Sequence, residues 1–202
     1  MGESGFTWVV DPIDGTSPFL NGMPNWCVSI AVLHGGRPVI GLIDAPLLEE
    51  HYAGAAGCGA FLNDVRLAID PARTLRDMPI GFGANHHAAP EVVGAFIASL
   101  HAEGGMFLRL GSGALMIAYV AAGRLAGYFE PYMHAWDCLA GYCLVSESGG
   151  WYLPSPTVPV SPGAATSSPW RPAHARISCA CRAWRWRSEV EPSDEKASEE
   201  IE

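Results

Sequence analysis

The stretch that most restricts this chain is FTWVVDPIDGT, residues 6–16, where an apolar run ends abruptly on two carboxylates three positions apart. Phe6, Thr7, Trp8, Val9 and Val10 are aromatic or β-branched, the residue types that suit a strand. Asp11 is therefore expected at that strand's C-terminal end, where ligands gather in α/β sheets. Pro12 fixes its own φ and restricts Asp11, while Gly15 allows a backbone conformation closed to other residues, so a rigid, sharp turn is expected. Such a turn lets Asp11 and Asp14 converge on one point. Two carboxylates so placed repel one another unless a cation separates them, and hard oxygen donors together with the Ile13 carbonyl suit Mg²⁺ or Mn²⁺. The backbone N–H groups of Gly15 and Thr16 and the hydroxyls of Thr16 and Ser17 then suit a phosphate beside the metal. A bare DxxDG segment serves equally well as a plain turn, so the pair needs a third partner before it reads as a site.

With 202 residues, 49% of them hydrophobic and 16% charged, the chain has enough apolar material for one layered domain. A net charge of −9 argues against nucleic acid as a partner. Residues 188–202 carry seven acids and one lysine, or −6 of that charge, which leaves the body close to neutral. Cysteines stand at 27, 58, 138, 143, 179 and 181, without the CxxC or paired His/Cys spacing of a zinc site, and read as reduced thiols of a cytoplasmic protein. The first residues lack a basic segment and a long apolar stretch, and no window reaches 18 uninterrupted apolar residues, so no membrane association is expected.

After the acidic turn, residues 26–33 (WCVSIAVL) and 39–45 (VIGLIDA) read as antiparallel strands around an HGGRP turn, with further short strands to about residue 70. The period then changes. Residues 90–105 open on proline, space apolar residues three and four apart and close on glycine, which predicts a helix. A short strand at 106–110, a helix over about 112–122, a strand toward Glu130, a helix from about Asp137 to the Gly149-Gly150 pair and a strand at WYL (151–153) follow. Strands and helices alternate in this half, as in an α/β layered domain. Asp137, in WDCLAG, falls at a helix start, where the positive end of the macrodipole favours an anionic cluster. It can join Asp11 and Asp14 as a third carboxylate, or it can simply cap its helix.

Taken together, VVDPIDGTSPF at 9–19 and FEPYMHAWDCLAGYCLVSESGG at 129–150 resemble the inositol monophosphatase family of Mg²⁺-dependent, lithium-sensitive sugar phosphatases. Its two signatures stand here as Trp8 to Phe19 and Trp136 to Gly150, in the family's order, joined by RLGSGALMIAYVAAGRLAGYFE. The resemblance covers residues 6 to about 154. It implies a layered α/β/α/β/α sugar-phosphatase fold, incomplete for want of the N-terminal helical segment, with the active site between two αβ halves. It implies Asp11, the Ile13 carbonyl, Asp14 and Asp137 as ligands of two or three Mg²⁺ ions, Mn²⁺ being an alternative. Thr16, with Asp14, would orient the attacking water. Gly15, Thr16 and the loop Gly111, Ser112, Gly113 would hold phosphate, and Glu130 with Asp137 would meet a substrate hydroxyl. The implied substrate is an inositol phosphate or a similar small sugar phosphate, with histidinol phosphate and nucleotide bisphosphates handled by relatives, and a homodimer is implied as well.

Other polar clusters read more plainly. His86 and His87 are expected to face solvent and His134 to lie in a loop, since Mg²⁺ prefers oxygen. Trp26 and Trp136 are expected in the core or the pocket wall. Glu49, Glu50 and His51 read as a surface turn, because adjacent strand residues point to opposite faces.

The chain also departs from the resemblance. The family places a helical segment and then a glutamate, usually in a GEE-type motif, before the first aspartate strand, and that glutamate takes part in activating water. Here only Glu3 precedes Asp11. A first sheet with one uncovered face is expected from this, and a catalytically impaired fragment or metal-binding scaffold is the alternative to an active phosphatase. Beyond Pro154 the text turns rich in Pro and Ser, then basic and aromatic, then acidic, as a shifted reading frame would produce. The phosphatase-like domain is therefore placed at 1–154 and a disordered tail at 155–202.

Overall fold

A computed structural model of the chain describes residues 5–153 and the strand 177–179. Six strands run as an antiparallel meander in sequence order: β1 (Phe6–Asp14), β2 (Cys27–His34), β3 (Arg37–Ala45), β4 (Glu50–Ala55), β5 (Gly59–Leu62) and β6 (Val65–Arg66). Gly35 and Gly36, both at positive φ, make the tight turn between β2 and β3. Along β1 the ladder pairs Val9 with Ala31 and Asp11 with Ser29, then slips before Asp14 pairs with Cys27. Regular pairing thus fails at the point where the two carboxylates stand.

Strand alternation sends Ala31, Gly41, Ile43 and Tyr52 to one face, against the helices α3 (Gly113–Ala121) and α4 (Ala135–Glu147). Small residues let these layers approach. A methyl at Gly41 would run into the Ala140 carbonyl of α4, and one at Gly141 into Ile117 of α3. On the other face of the sheet Trp8 is 68% exposed, and Val10, Ile40 and Leu42 stay open as well. Nothing covers this face among the described residues.

The far side of the helix pair meets a smaller sheet, ordered β10-β9-β7-β8, from β7 (Ile80–Phe82), β8 (Phe107–Leu108), β9 (Gly127–Phe129) and β10 (Ile177–Cys179). β7 is parallel to both β8 and β9, with α2 (Pro90–Ala102) and α3 in the intervening crossovers. Gly81 faces Met116 of α3, while Ile80, Phe82 and Phe129 face α2 in a second core in which Phe96 stacks on Phe129 at 4.4 Å. The layers are therefore large sheet, α3 and α4, small sheet, and α2. This is the expected α/β sandwich without an outermost helical layer among the described residues.

Three details differ from the sequence reading. Thr16–Leu20 forms a short helix, α1, where only a turn was expected. Residues 151–153 are not a strand: Tyr152 stacks on Tyr142 at 4.1 Å and Trp151 packs on the second core, while the free edge of β9 is taken by β10. That same strand β10 lies in a stretch read as tail, the remainder of which, 154–176 and 180–202, lies outside the described residues. No helix among the described residues is long and apolar enough to cross a membrane.

Candidate active site

Asp14, last in β1, is the deepest carboxylate at 8% exposure. Its Oδ2 accepts the Ser112 hydroxyl at 2.5 Å and the Ala114 N–H at 2.8 Å, both from the start of α3. Ser112 is also the N-cap of that helix, accepting the Leu115 N–H at 3.2 Å, so one hydroxyl starts α3 and ties it to the large sheet. Burial pushes the Asp14 pKa up to about 6, with Asp137 and Asp11 adding to the rise and the Ser112 and Ala114 hydrogen bonds opposing it.

Asp11 folds back to accept the Ile13 N–H at 3.0 Å, which stiffens the turn. Asp137 is the third residue of α4, and its Oδ2 accepts the N-cap N–H of His134 at 2.9 Å. The two readings of Asp137 therefore coexist, because the residue caps its helix and also joins the cluster. Burial raises its pKa too, and Asp11 adds to that. Oxygens of Asp11, Asp14 and Asp137 lie within 4.8 Å of one another. Ser29 on β2 holds the start of α4 in place by donating to the Trp136 carbonyl at 3.0 Å.

Gly15 has φ +88°, and a Cβ there would come within 2.9 Å of the Asn25 carbonyl and of Ser112 Cβ. Conformation and close approach both demand glycine. At Gly111, with φ +91°, a Cβ would come within 2.9 Å of the Pro18 ring. Thr16 donates its hydroxyl to the Ile13 carbonyl at 3.2 Å, which leaves that oxygen a second lone pair. A cavity of about 210 Å³ opens beside this turn, lined by Asp14, the 111–113 loop, Glu130 and Asp137. Asp11, Ile13, Gly15 and Thr16 lie on the turn and not in that lining.

Residues that the sequence reading did not single out also line the cavity, among them Gly83 and Asn85 after β7, Arg109 after β8, and Tyr128 on β9. Tyr128 was findable, since it stands two residues before Glu130 on a strand and so shares its face. Trp136, expected in the core or the pocket wall, is 45% exposed, stacks on His134 at 4.4 Å and is not among the residues that line the cavity. Trp26 is half-buried edge-on against Phe19. Glu50 is no bare surface acid, because it holds Arg124 at 2.6 Å and the Tyr52 hydroxyl at 2.6 Å. His86 and His87 are exposed, as expected.

The fold and this cluster define a layered α/β architecture in which three carboxylates converge beside a cavity, and comparison with known proteins gives the family. The model of the inositol monophosphatase family matches residues 1–179, and the chain belongs to that family. An inositol-1-monophosphatase of Mesorhizobium japonicum is 43% identical over 152 residues, 74% of this chain and 57% of the relative. A protein named Nus factor SuhB from Haemophilus influenzae is 38% identical over 151 residues, 73% of this chain and 56% of its own. Among solved structures, inositol monophosphatase from Anabaena superposes with a TM-score of 0.72 at 29% identity, covering 88% of this chain and 70% of that one. The SuhB protein of Bartonella henselae gives 0.68 at 38% identity, covering 75% and 58%. The chain thus spans a little over half the length of the curated relatives it matches.

Proposed function

We propose that this protein is a phosphomonoesterase for inositol phosphate or a similar small polyol phosphate, dependent on a divalent cation, with Mg²⁺ favoured over Mn²⁺ because the donors are hard oxygens. One observation carries the reading: three carboxylates, two from β1 and one from α4, come within 4.8 Å of one another, and two of them line the cavity that also holds Glu130. The donor set fits a cation. Burial and mutual repulsion hold Asp14 and Asp137 above the usual carboxylate range, a cost that a bound cation relieves. Asp11, Asp14, Asp137 and the free lone pair of the Ile13 carbonyl are the ligands.

Bound there, a divalent cation supplies acidity to water and neutralises phosphate charge. The remaining work falls to the chain. Ser112 and the Ala114 N–H keep Asp14 aimed, Thr16 orients the attacking water, and the N–H groups of Gly15, Thr16 and the 111–113 loop receive phosphate oxygens. Glu130 accepts a hydrogen bond from a hydroxyl of the leaving group. A reduced, cytoplasmic setting suits the free thiols of Cys27, Cys58, Cys138 and Cys143, and a homodimer is the assembly to test by sedimentation.

The test is phosphate release from inositol 1-phosphate by the purified, folded chain, alongside Asp14→Asn. Release that requires Mg²⁺, is inhibited by Li⁺ and disappears in the variant supports the reading. Release from a nucleotide bisphosphate alone would overturn the polyol assignment. A second reading, metal binding without turnover, rests on the cluster having three carboxylates among the described residues. Calorimetric Mg²⁺ binding with no phosphate release from any monoester would select it.

A further inference from the structure

Glu130 stands against a buried phenol. Tyr128, two residues earlier, is 3% exposed and donates its hydroxyl to Glu130 Oε2 at 2.5 Å. Burial and the adjacent carboxylate push the phenol's pKa well above its ordinary value, so the proton stays on the tyrosine and is directed at the carboxylate. Two glycines from other elements make room for the pair. A methyl at Gly83 would overlap both the Tyr128 hydroxyl and the Glu130 carboxylate, and one at Gly113 would come within 3.3 Å and 3.4 Å of them. On the remaining side Asn85 reaches Glu130 Oε1 at 3.5 Å while anchored on the Tyr132 carbonyl at 3.0 Å. Oε2 is engaged closely and Oε1 loosely, so Oε1 is the oxygen left for a ligand.

We propose that Tyr128 is a positioning residue that aims the Glu130 carboxylate at a hydroxyl of the substrate's leaving group. This rests on Glu130 being the substrate contact proposed above. A half-buried carboxylate faced by Asp14 and Asp137 resists ionisation, and its pKa is pushed up to about 7, chiefly by desolvation. The Tyr128 hydrogen bond and the charge of Arg109 oppose that rise. Without the phenol, Glu130 has less reason to be charged and nothing to hold Oε2 aside.

The test uses the full chain labelled with ¹³C at glutamate Cδ, with the Glu130 resonance assigned by its loss in Glu130→Gln. Glu130 is titrated without metal, and binding of inositol 1-phosphate and of inorganic phosphate is measured with Mg²⁺. Tyr128→Phe is expected to move the Glu130 midpoint to higher pH and to weaken inositol 1-phosphate about fivefold to tenfold, the size of one hydrogen bond, while leaving inorganic phosphate unchanged. Replacing Tyr128 by 3-fluorotyrosine, a stronger donor of nearly the same size, is expected to move the midpoint the other way and serves if the phenylalanine variant does not fold. If Glu130→Gln weakens inositol 1-phosphate but altering Tyr128 moves neither midpoint nor affinity, the positioning role is overturned. If Glu130→Gln itself leaves inositol 1-phosphate binding unchanged, the substrate contact is what fails.

Discussion

The two walls of the cavity solve the same problem differently. On one, Asp14 is buried and receives a serine hydroxyl at 2.5 Å; on the other, Glu130 is half-buried and receives a tyrosine hydroxyl at the same distance. Both carboxyls are raised by desolvation, to about 6 and about 7. What separates them is company. Asp14 sits in a cluster with Asp11 and Asp137 whose oxygens lie within 4.8 Å of one another, an arrangement that a cation settles, whereas Glu130, also raised by the charges of Asp137 and Asp14, stands outside that cluster in a glycine-lined space with the partial relief of Arg109. Burial alone therefore does not assign a role to an acid; the charges and the room around it do.

The hardest break in that comparison is Asp14→Asn. Mg²⁺-dependent phosphate release should fall by about three orders of magnitude, since a ligand and its charge are lost together. The same change should stabilise the metal-free chain at pH 7.5, by on the order of 2–3 kcal/mol. The sign follows from the raised pKa: the folded state binds a proton more tightly than the unfolded one, so metal-free stability declines as pH rises from about 4 through about 6, where Asp14 ionises. Urea unfolding at pH 5 and pH 7.5 should show this slope in the native sequence and lose much of it in the variant.

Next in size is Gly15→Ala, expected to cost about 2–4 kcal/mol because it meets both a positive φ and the Asn25 carbonyl, and to lower the melting temperature and the Mg²⁺ affinity together. Gly83→Ala strikes the other wall instead. By displacing the Tyr128–Glu130 pair it should weaken inositol 1-phosphate about tenfold while Mg²⁺ affinity, read by calorimetry, changes less than twofold. Equal losses of both would mean that the walls are not separable. The smallest effect is expected from Ser29→Ala, about 1 kcal/mol in chemical denaturation, from the lost bond to the Trp136 carbonyl that seats α4 on the large sheet.

Much of this was legible in particular residues. The strand-like runs at 26–33 and 39–45 around the HGGRP turn located β2 and β3, and the apolar run from about 112 located α3. Asp11 and Asp14 were readable as a pair through the turn chemistry of DPIDGT, whereas the helix start at WDCLAG left Asp137 open between cap and third carboxylate, and only the family resemblance joined it to the pair. Other features were not legible. Trp136 looked like a wall residue, because composition says nothing about which side of a helix start meets solvent. WYL looked like a strand, because its apolar character serves stacking on Tyr142 equally well. Ser112 was noted only as part of a phosphate-holding loop, yet its hydroxyl holds Asp14, a partner far away in the chain.

The local conformations, and with them the chemistry on offer, were set by the sequence alone: a proline and a glycine bend β1 so that two carboxylates share a turn, and helix-capping residues start α3 and α4 where they do. Only the tertiary structure decided that Asp137 would meet them and that Tyr128 would meet Glu130 in a space cleared by Gly83. Those meetings depend on how closely whole layers pack. Closeness comes from glycines such as Gly41 and Gly141, whose missing methyls make room for the helices at positions that local propensity does not record.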